Sequence, residues 1–238
     1  MKITYIYHSG FSVELESCVL IFDYFKGNIP AVPANKPVYF FASHSHQDHF
    51  NLAILNMLSE NNPKFILSND IRLSEKYLER CGINKDIKDT IISVKKNDNV
   101  VVDNLTIETF RSTDAGCAFM VKADGVTIYH AGDMNVWVWP GHEHKEALKA
   151  YHERLYMEQL TKMSKYDVDV AFAPLDPRLK ESYYLGIKML LDNVKVKKLF
   201  PMHMWDEYGT YERAINNELS MYKDIFVKVS ENDREWII

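Results

Sequence analysis

At 238 residues, with 47% hydrophobic and 26% charged side chains, the chain has a globular composition, which excludes a disordered or collagen-like protein, and no Gly/Ser/Pro-rich linker divides its 1–238 span into more than one domain. The net charge of −5 makes a nucleic-acid surface unlikely on physical grounds, because phosphate binders gather an excess of Lys and Arg. Cys18, Cys81 and Cys117 are odd in number and widely spaced, and no apolar run is long enough to cross a bilayer or act as a signal peptide, so a reducing cytoplasm without membrane attachment is expected.

Residues 3–8, 11–16 and 19–23 are rich in β-branched and aromatic side chains and are separated by turn residues, which predicts a three-stranded meander. Pro30, Pro33 and Pro37 mark a loop before a buried strand over residues 38–41. Asn51 is placed to cap a short helix over 52–58, residues 65–68 read as a strand, and a helix is expected from Asp70 to the Cys81-Gly82 stop. From residue 90 the period returns to two. Segments 90–94, 100–102, 105–110, 117–122 and 126–130 predict a second, antiparallel sheet, with Asp103-Asn104 and Asp124-Gly125 as hairpin turns. Residues 143–165 carry the longest helical pattern, with Leu148, Tyr151, Leu155, Met157, Leu160 and Met163 on its apolar stripe. Strands over 168–173, 198–200 and 225–229 then alternate with helices over 183–191 and 211–219. The pair Lys95-Lys96 and the run Lys195-Val196-Lys197-Lys198 read as solvated strand entries.

The chemistry concentrates where the 38–41 strand gives way to Ser43-His44-Ser45-His46-Gln47-Asp48-His49. If the backbone stays extended, His44, His46 and Asp48 share one face, with His49 beside Asp48 on the turn. Such a set suits Zn²⁺, or Mn²⁺ or Fe where oxygen ligands dominate. Asp133 and His203 each stand just past the end of a later predicted strand, where a rigid element holds a ligand well.

In this order the motifs resemble those of the metallo-β-lactamase superfamily. His44-x-His46-x-Asp48-His49 matches its metal signature, Gly132-Asp133 its bridging carboxylate and His203 its last histidine. Tyr7-His8-Ser9-Gly10-Phe11 followed by Phe22-Asp23 is similar to the opening hairpin of the branch containing L-ascorbate-6-phosphate lactonase. The resemblance implies an α/β (α+β) fold, a four-layer αββα sandwich. It places His44 and His46 on one metal, Asp48, His49 and His203 on a second, and Asp133 between them. Where the family usually supplies a further histidine, this chain reads Arg111-Ser112-Thr113-Asp114. A neutral hydroxyl is a weak zinc ligand, so Asp114 is the candidate substitute, and occupancy by one or two ions is left open.

The implied activity is a metal-dependent hydrolase acting through a metal-bound hydroxide on a lactone or ester of a small substrate, phosphorylated or not, with Asp48 orienting the bound water and taking its proton. A small-molecule phosphodiesterase and a non-catalytic metal- or ligand-binding protein are the competing readings. Trp137, Trp205 and Arg178 are candidate substrate contacts, although Arg178 is also placed to pair with Asp176 or Glu181. His8 and His130 are read as residues beside or behind the ligands, and His142 and His144 as exposed. Nothing in the sequence excludes a homo-oligomer.

Overall fold

The computed structural model describes residues 1–238, and its strands form two sheets. In the first, β1 (Lys2–Tyr7), β2 (Gly10–Glu14) and β3 (Val19–Phe22) make the expected antiparallel meander. β4 (Val38–Ala42), β5 (Lys64–Ser68) and β6 (Ile91–Val94) add to it in parallel, with α1 (Glu75–Arg80) in the last crossover. The second sheet runs antiparallel through β7 (Asn99–Val102), β8 (Leu105–Arg111), β9 (Cys117–Ala123) and β10 (Val126–His130). After α2 (Lys145–Met163) and α3 (Leu185–Asn193), β11 (Asp167–Pro174) and β12 (Lys195–Met202) join in parallel. Beyond α4 (Gly209–Asn216), β13 (Glu235–Ile237) returns to the first sheet beside β1.

Alternation builds the layers. Leu20, Phe22, Tyr39 and Phe41 point into the core shared with the second sheet. Val19, Ile21, Val38 and Phe40 point the other way, against Ile54, Leu55 and Leu78 from the helical turns outside. Both faces of these strands are therefore dry, which is why they read as continuous apolar runs. Tyr156, Leu160, Met163, Ile187 and Leu190 bring α2 and α3 into the main core cluster, completing the αββα arrangement of the metallo-β-lactamase fold. Cys18, Cys81 and Cys117 are unpaired, and no helix is long and apolar enough to cross a membrane.

Several expectations are corrected. Residues 90–94 belong to the first sheet, where β6 pairs in parallel with β5, because side-chain alternation carries no information on which sheet a strand joins. Residues 225–229 make only an isolated Leu199–Phe226 bridge, and the last strand is the short β13. The helix expected from Asp70 starts after Ser74, whose hydroxyl accepts from the Tyr77 N–H. The 52–58 segment is a 3₁₀ turn over Leu52–Asn56, capped by Asn51 as anticipated. On α2 the buried face is Leu155, Tyr156, Gln159, Leu160 and Met163, whereas Tyr151 and Met157 are 47% and 39% exposed.

One contact ties the two sheets at the rim. Gly116, at φ +62°, brings its backbone so near the loop after β4 that an added Cβ would lie 2.0 Å from the Ser43 carbonyl oxygen, and that oxygen accepts from the Cys117 N–H. Gly116→Ala is expected to cost at least about 2 kcal/mol, lowering the thermal midpoint by roughly 4–8 °C. An unaltered melting curve would mean that the two loops separate freely.

Candidate metal centre

The site lies at one rim of the sandwich. His8 follows β1, Asp23 follows β3, residues 43–49 follow β4, Asp133 follows β10, Asp176 follows β11 and His203 follows β12. The motif is not extended: the His46 carbonyl accepts from both the His49 and Phe50 N–H groups at 3.0 and 2.9 Å, which curls it into a turn. The two-residue periodicity expected of it therefore fails. His44 and His46 point to one place, and Asp48 turns away from them to join His49.

Two ligand sets result. His8, Asp48, His49 and His203 form a largely buried one, and His44, His46, Asp114 and Asp133 form one nearer the rim; within each set the ligand atoms lie within 4.8 Å of one another. Asp133 stands between them. Its Oδ1 is 3.0 Å from His49 Nε2 and 3.4 Å from His203 Nε2, and its Oδ2 is 3.6 Å from His44 Nε2. Asp114 Oδ2 is 3.8 Å from His46 Nδ1, so it sits where a substitute for the absent histidine would sit. Ser112 does not: its hydroxyl accepts from the Asp114 N–H and shapes the turn. His8 is the departure from the sequence reading, which placed it beside the ligands. Its Nε2 lies 3.4 Å from Asp48 Oδ2, inside the buried set.

Behind the imidazoles stand two carboxylates whose part the sequence did not disclose. Asp23 is fully buried and accepts from His49 Nδ1, the Ser43 N–H and the Ser43 hydroxyl, each at 2.7 Å. Asp176 accepts from His203 Nδ1 at 3.0 Å. Because the Ser43 hydroxyl donates to Asp23, it accepts from His44 Nδ1 at 2.9 Å. Each of these hydrogen bonds fixes a ring proton on the outer nitrogen and turns Nε2 inward, where the neutral ring would offer its lone pair. The backbone is bent to suit. His8, Asp23 and His203 have φ of 58°, 41° and 63°, left-handed conformations that cost non-glycine residues energy and concentrate at functional sites.

The chemistry of this donor set fits a cation. Of the eleven buried side-chain nitrogens and oxygens without a hydrogen-bond partner, six are His8 Nδ1 and Nε2, His44 Nε2, His49 Nε2, His203 Nε2 and Asp133 Oδ1. Buried polar atoms are rarely left unpaired, and the four imidazole Nε2 atoms among these, which face the Asp48 and Asp133 carboxylates, suit coordination of a cation. The electrostatics agree. Burial opposes charge on His49, yet Asp133 and Asp23 outweigh it and hold the ring protonated well above its ordinary range. Burial likewise opposes charge on Asp133, but His49 and His203 drive it far below the usual carboxylate range, and the adjacent His8, His49 and His203 rings do the same for Asp48 against its own burial. Burial pushes His8 down to about 4, leaving it neutral and able to ligate. The positive charge His49 carries between two carboxylates is the charge a divalent cation would replace.

The sets open on a cavity of about 300 Å³ whose walls include Asp48, Asp133, Trp137, Trp139, His152 and Arg178. Trp137 is mostly buried, and its indole N–H donates to the Asp133 carbonyl at 2.9 Å, so it also braces that loop. Arg178 lines the cavity but is forked onto Asp176, its Nε 3.0 Å from both carboxylate oxygens. Trp205 is corrected: it does not line the cavity but packs against the His8 ring at 4.3 Å, under the Arg178 guanidinium at 4.5 Å. His130 is wholly buried, donating from Nε2 to the Ser9 carbonyl and accepting the Gly132 N–H on Nδ1. It supports the Asp133 turn from behind and has no access to a leaving group. His142 and His144 are exposed, as expected. His152 was missed, although it lies one turn before Leu155 and Tyr156 on the buried face of α2.

Residues 2–203 match the sequence profile described as a β-lactamase superfamily domain. The chain is 29% identical over 154 residues to a UPF0173 metal-dependent hydrolase of Pyrococcus furiosus, and 31% identical over 147 residues to one of Archaeoglobus fulgidus. Each alignment covers 58% of this chain and 63% of the relative, so the chain spans less than two thirds of the length of those curated relatives. Among solved structures it is similar to Igni18, a metallo hydrolase of the hyperthermophilic archaeon Ignicoccus hospitalis, with TM-score 0.65, 18% identity and coverage of 100% of this chain and 98% of that one. It is also similar to an isothiocyanate hydrolase from Delia radicum gut bacteria, with TM-score 0.58, 16% identity and coverage of 100% and 99%. At such identities the structural likeness speaks for the fold, and with the profile match over most of its length it follows that the chain belongs to the metallo-β-lactamase superfamily.

Proposed function

We propose that this chain is a metal-dependent hydrolase in which the two ligand sets, with Asp133 standing between them, would hold a pair of divalent cations beside one small cavity. The observation that carries this reading is that the unpartnered buried Nε2 atoms of His8, His44, His49 and His203 face the Asp48 and Asp133 carboxylates within two adjoining ligand sets. A divalent cation bound there supplies Lewis acidity and makes a coordinated water acidic enough to ionise near neutral pH. The chain supplies the rest. Asp133 joins the two sets, Asp23 and Asp176 fix the tautomers of His49 and His203, and Asp48, which borders the cavity, orients the water and accepts its proton. Trp137 and Trp139, stacked at 5.8 Å, form an aromatic wall that excludes solvent on one side.

Three imidazoles and one carboxylate in the buried set favour zinc. Two imidazoles and two carboxylates in the rim set admit zinc, manganese or iron. The side chains of His46 and Asp114 are 54% and 45% exposed, so the rim cation is held less firmly. We take the substrate to be a small lactone or ester, possessing a phosphate if the likeness to the lactonase branch extends to chemistry, and the unpaired cysteines suit a cytoplasmic setting. Elemental analysis of protein purified without added metal is expected to give two equivalents, and His46→Ala about one, with the buried ion retained. Metal-free wild-type protein that also resists reloading would end the proposal. A panel of lactones, carboxylic esters and small phosphodiesters then identifies the bond cleaved, with turnover expected on the first two.

A further inference from the structure

A second cavity, of about 410 Å³, adjoins the metal centre and has no hydrophobic residue in its lining. It gathers residues from both sheets: Asn69 and Asp70 follow β5, Lys95 and Lys96 follow β6, and Arg111 and Ser112 stand at the end of β8. Asp114 lines this cleft and the metal cavity alike, so the two spaces meet at the rim ligand set. The lysines, read from sequence as solvated strand entries, are therefore part of a built recess.

The cations of the recess form no ion pair with the two carboxylates that share its lining, Asp70 and Asp114. Lys95, Lys96 and Arg111 are exposed in the cleft with no carboxylate in ion-pair reach. Of the adjacent acids, Asp98 accepts from the Lys95 backbone N–H, Asp70 accepts from the Ser45 N–H on Oδ2 and has no partner on Oδ1, and Asp114 faces His46. Three cations share the cleft with two carboxylates, Asp70 and Asp114, which leaves a net positive charge that a bound anion would balance. The acids on the wall toward the metal motif leave the lysine and arginine side as the place for it. Arg111 offers a planar fork and the lysines add mobile point charges, the donor set that suits a phosphate or carboxylate.

We propose that this cleft is an anion subsite of the same active centre, holding a phosphate or carboxylate end of the substrate while the scissile bond lies in the cavity beside Asp48 and Asp133. The inference rests on the hydrolase reading and adds that the substrate is anionic at a point remote from the bond that breaks. It accounts for anion recognition in a chain of net charge −5 without an extended basic surface, so the ligand is a small molecule rather than a polymer.

The test compares metal-loaded wild type with Lys96→Ala/Arg111→Ala on p-nitrophenyl acetate and on the mono-p-nitrophenyl ester of glutaric acid, and titrates both proteins with inorganic phosphate by calorimetry. Wild type is expected to prefer the carboxylate-tailed ester about tenfold in kcat/KM, with the ratio of the two esters falling toward one in the variant, since half-exposed charge contacts are individually modest. Phosphate affinity is expected to fall by a similar factor, and the ester preference to shrink with added salt. The ratio, not either rate, is the readout, so a general loss of activity in the variant does not imitate the result. Equal phosphate affinity in both proteins, or no preference between the esters in wild type, overturns the subsite. If neither ester is turned over but phosphate binding still depends on Lys96 and Arg111, the subsite stands and the hydrolase reading falls.

Discussion

Asp133→Asn is expected to remove most of the bound metal from both ligand sets and to lower kcat/KM by more than a thousandfold. Asp133 is the residue whose two carboxylate oxygens address different partners, Oδ1 toward His49 and His203 and Oδ2 toward His44. Replacing one oxygen with an amide leaves a neutral group facing several imidazoles. Loss of a residue that merely supports a ligand costs about 10–100-fold in metal affinity or activity, and Asp133 serves two sets at once. Metal content by elemental analysis and single-substrate kinetics on the same preparation decide the matter. A variant that keeps two ions would remove Asp133 from its bridging position, and one that loses both while unfolding would be recognised by its circular dichroism.

Asp23→Asn should be costly in a different way, because Asp23 touches no candidate cation yet anchors two ligand histidines. Its carboxylate receives three hydrogen bonds and is wholly buried. Burial alone would raise its pKa, but His130 and the His49 hydrogen bond hold it ionised below its ordinary value. Removing one member of such a buried charge network typically costs about 3–5 kcal/mol, which for a chain of this size lowers the thermal midpoint by roughly 6–20 °C. The amide would also turn an N–H₂ toward His49 Nδ1 or Ser43 and disturb the tautomer that points Nε2 inward. Metal affinity should therefore drop about 10–100-fold even in molecules that remain folded. Thermal unfolding with and without saturating zinc separates the two effects: zinc should recover part of the lost midpoint. A midpoint equal to that of wild type would show that the site is positioned by other means.

What sequence reading reached and what it missed divide along a physical line. Residues 44–49 were legible because dense ligand chemistry follows an apolar strand, and Asp133 and His203 because each follows a strand end. The grouping implied by the family resemblance agrees with the structure, whereas the extended backbone does not, since the His46 carbonyl bonds that curl the motif are backbone events no side-chain pattern announces. His8 joins the ligands only because the end of β1 lies beside the end of β12, where the His203 N–H donates to the His8 carbonyl at 3.2 Å. That adjacency is topological, and a sequence separation of 195 conceals it. Asp23 and Asp176 look in sequence like any acid after a strand. The sheet to which 90–94 belongs was undetermined for the same reason, as alternation fixes faces but not neighbours.

The tryptophans carry a practical corollary. Of the four in the chain, Trp137 and Trp139 border the metal cavity and Trp205 leans on His8 and His203. Their indoles are thus native optical reporters. Loading a cation or seating a ligand should quench or shift ultraviolet emission without any dye, and only Trp236, on the edge strand β13, would stay indifferent. Stopped-flow recording of that signal would time occupancy of the pocket directly, ahead of any knowledge of which bond is cut.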